Sequence, residues 1–274
     1  TILPEQGHFH LHTDATFQLL STACRNALNG RKDSIAVGRE ITYEDEKYCI
    51  HEIFTRQALS TPDAIAVVDE RRGPVTFRTM LQEVNLLASW LRYHRVGIGL
   101  QGVVGILSPT TADYLIAIFG VMQSGGAVLP FYTNYTKELI NDLVDSANVK
   151  FMIVDETIDT SMIPNGCASF SLGNEWANRL RVQIQKIETQ ENKEEKEEQE
   201  QLQFGEQEQQ EINRHSKQFQ LYTTPPTVPT HACCMMAMTS GSTGKPKAIV
   251  VSHHATMMAL CVRNHLFPFN SNSI

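Results

Sequence analysis

No apolar run in the sequence could cross a bilayer. The longest, such as Tyr114 to Met122, falls well short of the roughly 20 residues a helical span needs. No basic patch stands out either. Lys and Arg total 23 against 30 Asp and Glu, a net charge of −7, so nucleic acid is not an expected partner. The first residues show no basic start followed by an apolar core, so no secretory signal is visible in this sequence and a cytoplasmic protein is expected. There is no C-x-x-C pair. The six cysteines (Cys24, Cys49, Cys167, Cys233, Cys234 and Cys261) include an adjacent pair inside an apolar stretch, and are expected to be core thiols in a reducing compartment. The ten histidines are scattered; His8, His10 and His12 alternate, a weak metal-binding pattern that we read as part of a leader, so no protein metal ligand is assigned.

What is present is enough chain for one large or two modest domains, at 274 residues. Residues 1–47 show weak periodicity and are expected to be a leader or linker with one short helix over Ala15–Ala27. From Ile50 onward the pattern sharpens. Ile50, Ile53, Phe54 and Ala58 share one helical face, and Ser60-Thr61-Pro62-Asp63 ends that helix. Ala64–Val68 reads as a buried strand and Val75–Phe77 as a shorter one. A helix over Thr79–His94 carries the stripe Leu81, Val84, Leu87, Ala88 and Leu91. A strand follows at Gly102–Leu107. Ser108-Pro109 then supplies a hydroxyl cap and a first-turn proline for a helix over Thr110–Ser124, with Leu115, Ile118, Phe119 and Met122 facing in. Gly125-Gly126 stops it. Strands at Ala127–Pro130, Val149–Val154 and Cys167–Leu172 flank a helix at Lys137–Ala147. This alternation predicts an α/β fold: a parallel sheet joined by crossover helices.

Composition then shifts. Trp176, Leu180, Ile184 and Ile187 mark a short amphipathic helix, and Lys186 to Gln210 is almost wholly Glu, Gln and Lys. Such a stretch cannot bury enough apolar area to offset its ordering entropy, and no apolar heptad supports a coiled coil. A disordered or frayed insertion is expected over about residues 188–220.

The chemistry concentrates at Met238-Thr239-Ser240-Gly241-Ser242-Thr243-Gly244-Lys245-Pro246-Lys247-Ala248. Two glycines permit backbone angles that turn successive N–H groups inward. The hydroxyls of Thr239, Ser240, Ser242 and Thr243 can bond phosphate oxygens, and Lys245 and Lys247 supply compact positive charge. It is not a Walker A loop: two residues, not four, separate Gly241 from Gly244, and Pro246 rather than Ser or Thr follows Lys245. Apolar stretches on both sides, Cys233–Met238 and Ala248–Ser252, predict a phosphate loop joining two strands, with a helix over His254–His265 after them.

The loop resembles the signature T-S-G-[ST]-T-G-x-P-K-G of the adenylate-forming superfamily, which includes acyl-CoA synthetases, luciferases and the adenylation domains of nonribosomal peptide synthetases. Only the last position departs, with Ala248 for glycine. Upstream, Thr61-Pro62-Asp63-Ala64-Ile65-Ala66-Val67 and Thr76-Phe77-Arg78-Thr79-Met80 resemble structural signatures of peptide-synthetase adenylation domains. Met122-Gln123-Ser124-Gly125-Gly126-Ala127-Val128-Leu129-Pro130 resembles the family's L-K-A-G-G-A-Y-V-P motif, and Ser252-His253 its V-S-H continuation, where His253 is at least as suited to packing or capping as to ligand contact. The resemblance implies the N-terminal portion of an adenylation domain over residues 48–274. It implies Mg-ATP, a small carboxylic or amino acid substrate, and a thiol acceptor, either coenzyme A or the phosphopantetheine of a carrier domain. Thr239, Ser240, Gly241, Ser242, Thr243, Gly244, Lys245 and Lys247 are the implied nucleotide contacts. Lys247 matches the family's lysine after proline, and Lys245 stands at a variable position. The family's adenine motif, ribose aspartate, hinge and catalytic lysine all lie beyond the phosphate loop, so no catalytic residue is assigned and the chain by itself is expected to be inactive. The alternative is a non-catalytic, truncated nucleotide-binding or interaction module.

Overall fold

The computed structural model describes residues 44–94, 102–173, 175–184, 226–239 and 247–266. The chain divides into Thr1–Glu44 and Asp45–Ile274, and all described residues except Glu44 belong to the second unit. The helix expected over Ala15–Ala27 and the Glu/Gln-rich insertion lie outside the described residues.

Helix α1 spans Ile50–Ser60 and buries His51, Phe54 and Ala58. The sequence pattern had put Ile50 and Ile53 on that face; they are half-buried, and a histidine takes the place instead. Strands β1 (Ile65–Asp69) and β2 (Gly73–Thr76) pair antiparallel as a separate two-stranded sheet. β1 is therefore not the buried strand its apolar run suggested: Ile65 is 56 % and Val68 73 % exposed, with no second layer among the described residues over that face. Thr76 caps α2 (Phe77–Tyr93) by accepting the Thr79 N–H, and the helix buries Met80, Val84, Leu87, Ala88 and Leu91.

Next come β3 (Val103–Leu107) and α3 (Ala112–Gln123). The cap of α3 is Thr111, whose hydroxyl accepts the Tyr114 N–H, and not Ser108-Pro109. The first N–H of α3, on Ala112, is bound by the carboxylate of Asp69, so this helix start is fixed from outside its own segment. Its buried face is also rotated from the expected one: Ile116, Ala117, Val121 and Met122 are buried, while Leu115, Ile118 and Phe119 are half-buried. The helix is apolar nearly all round, which leaves periodicity little to discriminate. Gly125, at φ +92°, ends α3 in a conformation that L side chains resist.

The remaining elements are β4 (Ala127–Phe131), α4 (Lys137–Ser146), β5 (Phe151–Asp155), β6 (Ala168–Leu172), α5 (the helical residues 176–184), β7 (Cys233–Thr239), β8 (Lys247–Ser252) and α6 (His253–Leu266). Six strands form one sheet in the order β6-β5-β3-β4-β7-β8. All neighbours are parallel except β7 and β8. This is the expected α/β architecture. Period-two alternation divides the core between the sheet's two faces. Val104, Ile106, Val128 and Ile153 pack with α1, α2 and α3, whereas Leu107, Leu129, Met152 and Val154 pack with α4. Parallel strands covered on both faces are the reason these runs are apolar throughout.

Candidate functional site: a phosphate-loop hairpin

β7 and β8 form the hairpin predicted for the loop. Thr239 pairs with Lys247, Met238 with Ala248 and Ala237 with Ile249, so residues 240–246 connect the two legs at its tip. Of the predicted contacts, Thr239 is an exposed strand end and Lys247 opens β8. Ser240, Gly241, Ser242, Thr243, Gly244 and Lys245 lie outside the described residues.

The tip's place in the sheet follows from register. β7 runs parallel to β4, with Val128 opposite Met235. Carried forward by equal steps (235 to 239, 128 to 132), the register sets Thr239 level with Tyr132. Leu107 pairs with Phe131 at the same end of β3 and β4. The loop therefore leaves the sheet at the carboxyl ends of its parallel strands, where open α/β sheets bind ligands. Ala248 is exposed strand backbone and is not among the non-glycine described residues with positive φ, which are Asn148 and Glu175. Alanine at the family's glycine position carries no backbone strain.

The root of the hairpin is built differently from its tip. The His253 N–H donates to Ala232 O at 3.1 Å and the His254 N–H to Thr230 O at 2.7 Å, tying the start of α6 to the segment that feeds β7. The Cys49 thiol donates to Val228 O at 3.2 Å, and the Ile50 N–H reaches His253 Nδ1 at 3.3 Å. Glu52 closes the start of α1 by accepting the Cys49 N–H at 2.7 Å. His51 and His253 meet edge to face, with ring centroids 5.3 Å apart. Burial pushes His51 down to about 4, and burial with the neighbouring His51 pushes His253 down to about 4, so both rings are neutral near pH 7. Burial, then the charge of Glu52, pushes the Cys49 thiol up to about 12. Sequence reasoning left His253 open between packing, capping and ligand contact, read Cys49 only as a core thiol, as its burial bears out, and missed His51. The only signal was a Cys-x-His spacing at a helix start, and the third member comes from the far end of the chain.

A mostly parallel sheet whose antiparallel β7–β8 hairpin turns at the carboxyl edge of its parallel strands defines the α/β class of this chain. The chain belongs to the family of AMP-binding enzymes, whose profile matches residues 54–272. It is 24 % identical over 218 residues to gramicidin S synthase 2 of Aneurinibacillus migulanus, an alignment covering 80 % of this chain and 4 % of that protein. Among solved structures it resembles the N-terminal subdomain of Klebsiella oxytoca NpsA in complex with 3-hydroxybenzoyl-AMSN. There the TM-score is 0.50 and identity 18 %, over 75 % of this chain and 41 % of that one. It also resembles the nonribosomal peptide synthetase FmoA3 in its AMPPNP-bound form, with a TM-score of 0.59 and 18 % identity over 89 % of this chain and 21 % of that one. The chain thus spans less than a tenth of the curated relative and under half of either solved chain. Among the described residues, no helix is long and apolar enough to cross a membrane.

Proposed function

We propose that this chain supplies the phosphate-holding side of a site that activates a carboxylic or amino acid as its acyl-adenylate. The carboxylate oxygen attacks the α-phosphorus of ATP, the bond to the β-phosphate bridging oxygen breaks, and pyrophosphate leaves. A thiol, of coenzyme A or of a carrier domain's phosphopantetheine, then attacks the acyl carbonyl and displaces AMP. Mg2+ accompanies the ATP and offsets phosphate charge. The loop's share is electrostatic. Ser240, Ser242, Thr243 and the loop N–H groups hold the β- and γ-phosphates, and Lys247 offsets the charge that accumulates on the leaving pyrophosphate.

The observation that carries this reading is the signature loop joining Thr239 to Lys247 at the carboxyl edge of a parallel sheet. Family membership over residues 54–272 and the peptide-synthetase relatives support the acid-activating chemistry. The absence of backbone strain at Ala248 removes one motive for a non-catalytic reading.

ATP–pyrophosphate exchange by the longest polypeptide containing this sequence, across a panel of carboxylic and amino acids, tests the proposal. Exchange with at least one acid is expected, and Lys247→Ala should lower it by roughly 10²–10³-fold, the range for losing one preorganised group that stabilises transition-state charge. No exchange with any acid, together with no ATP binding, overturns it. Residues 1–274 by themselves should form no acyl-adenylate.

A further inference from the structure

We propose that Cys49, His51 and His253 form a binding site for a thiophilic divalent transition-metal ion, with Zn2+ the best match to the donor set, at the root of the phosphate-loop hairpin. All three residues are buried, and one ligand atom from each lies within 4.8 Å of the other two. One thiol and two imidazoles suit zinc and its neighbours and do not suit Mg2+ or Ca2+, which take oxygen donors.

The bland alternative is a pair of packed core histidines whose polar atoms are satisfied by neighbours. The hydrogen bonding argues against it. His51 Nδ1 and His253 Nε2 are buried, and neither has a hydrogen-bond partner among the described residues. Buried polar atoms in native proteins are overwhelmingly partnered, and two orphans on adjacent rings beside a thiol call for a common ligand.

Zinc bonds of about 2.3 Å to sulfur and 2.0–2.1 Å to nitrogen draw tetrahedral donors closer together than 4.8 Å, so the side chains rotate inward on binding. The Cys49 S–H bond breaks, its proton leaves to solvent, and the metal–thiolate bond replaces the contact to Val228 O. Metal binding at His253 Nε2 moves that ring's hydrogen to Nδ1 and gives up the long 3.3 Å contact from the Ile50 N–H. His51 binds through Nδ1. The ion has a way in: His51 also lines a cleft of about 540 Å³ walled by Tyr48, Glu52, Thr55, Gln123 and Thr227. Water from that side completes the fourth position.

The consequence is mechanical. Cys49 and His51 belong to the start of α1, and His253 begins α6 directly after β8. Cys49 also packs with Val228 and Ala232, which lead into β7. One ion would pin the start of α6, and with it the β8 leg of the hairpin, to α1 and steady the base of the loop.

The test uses the 274-residue chain, stripped with a chelator and reloaded. One equivalent of Zn2+ should be retained through gel filtration. Co2+ should give tetrahedral d–d bands with a thiolate-to-cobalt charge-transfer band in the near ultraviolet. Zn2+ should raise Tm, and chelator should reverse the rise. Cys49→Ser should abolish the charge-transfer band, and Cys49→Ser and His51→Gln should each weaken binding at least tenfold, with folding checked by circular dichroism. Three results overturn the proposal: no retained ion, a cobalt spectrum without a thiolate band, or binding unchanged in both variants. The second would place the ion on histidines alone, as at His8, His10 and His12. Should either variant fail to fold, the cobalt spectrum and the Tm shift of the unsubstituted chain still decide.

Discussion

Ala248 is the residue at which the sequence departs from its family's loop signature, and it lies in extended backbone paired with Met238. Glycine there would gain no conformation that alanine lacks. Ala248→Gly is therefore expected to cost stability, by about 0.5–1 kcal/mol from the extra freedom of the unfolded chain, and to leave ATP–pyrophosphate exchange unchanged. Urea denaturation and the exchange assay check the two halves of that statement. A clear rise in exchange would show that the tip needs glycine at its exit. At this scale the sequence was unevenly legible. The loop residues stand out in the sequence because hydroxyls, lysines and glycines crowd into a few adjacent positions, the pattern from which a phosphate role is proposed. Cys49, His51 and His253 do not, because only the fold brings the start of α1 to the start of α6. A buried histidine on an apolar helix face also reads, in one dimension, as a break in the pattern.

Elements were foreseen more reliably than their partners. The period-two and 3.6-residue patterns located each described strand and α-helix from α1 to α6 within a few residues, though not the 3-10 turn at Thr160–Met162; burial on both faces of the six-stranded sheet writes apolar runs into the chain. They could not say that β1 pairs only with β2, since alternation carries no address for its neighbour. They also misplaced the cap of α3. Ser108-Pro109 has the right residue types, yet Asp69 holds the Ala112 N–H, so the helix begins where β1's end fixes it. The joint from α3 to β4 shows how a family motif becomes geometry. Gly125 sits at φ +92°, and a Cβ on Gly126 would stand 3.1 Å from Val121 Cγ1 and 3.3 Å from Gly102 O. This Gly-Gly step is a tight structural turn that aligns β4 beside β3. Gly125→Ala should lower stability by about 1–2 kcal/mol, the cost of left-handed backbone for an L residue. The urea midpoint should fall with an unchanged m-value. A wild-type midpoint would mean that the turn tolerates a Cβ.

The described region is held together across its two sheets by one polar network that starts in the β1–β2 turn. Asp69 accepts the N–H groups of Arg71 at 2.7 Å, Arg72 at 2.8 Å and Ala112 at 2.8 Å. Arg71 pairs with Asp155 at the end of β5, at 2.9 Å. The Arg72 guanidinium forks onto both oxygens of Glu83 in α2, at 2.8 Å each, and reaches Asp113 in α3 at 2.7 Å. The indole N–H of Trp176 in α5 closes the network on Asp113 at 3.0 Å. Glu83 and Asp113 are buried, so removing Arg72 leaves two carboxylates without their counter-ion. Arg72→Met is expected to cost about 3–5 kcal/mol, the range for breaking a buried pair from one side. Adding Glu83→Leu should recover part of that loss. The network also sets the acid limb of stability. Burial raises the Asp69 carboxyl, but the three backbone N–H bonds and the charge of Arg72 outweigh it, leaving a net value below 3.8. Burial likewise opposes Asp155, and its bonds from Thr157 and Arg71 again win. Both groups are depressed on folding, so the unfolded chain takes up protons first as pH falls. Their stabilisation is complete above 3.8 and drains away as pH drops through the lower folded values. The urea midpoint should therefore fall steeply below pH 3.8, and Asp69→Asn should flatten that slope while lowering the midpoint at neutral pH. A midpoint in the unsubstituted chain that holds level below pH 3.8 would show that these carboxylates do not carry the link between the sheets.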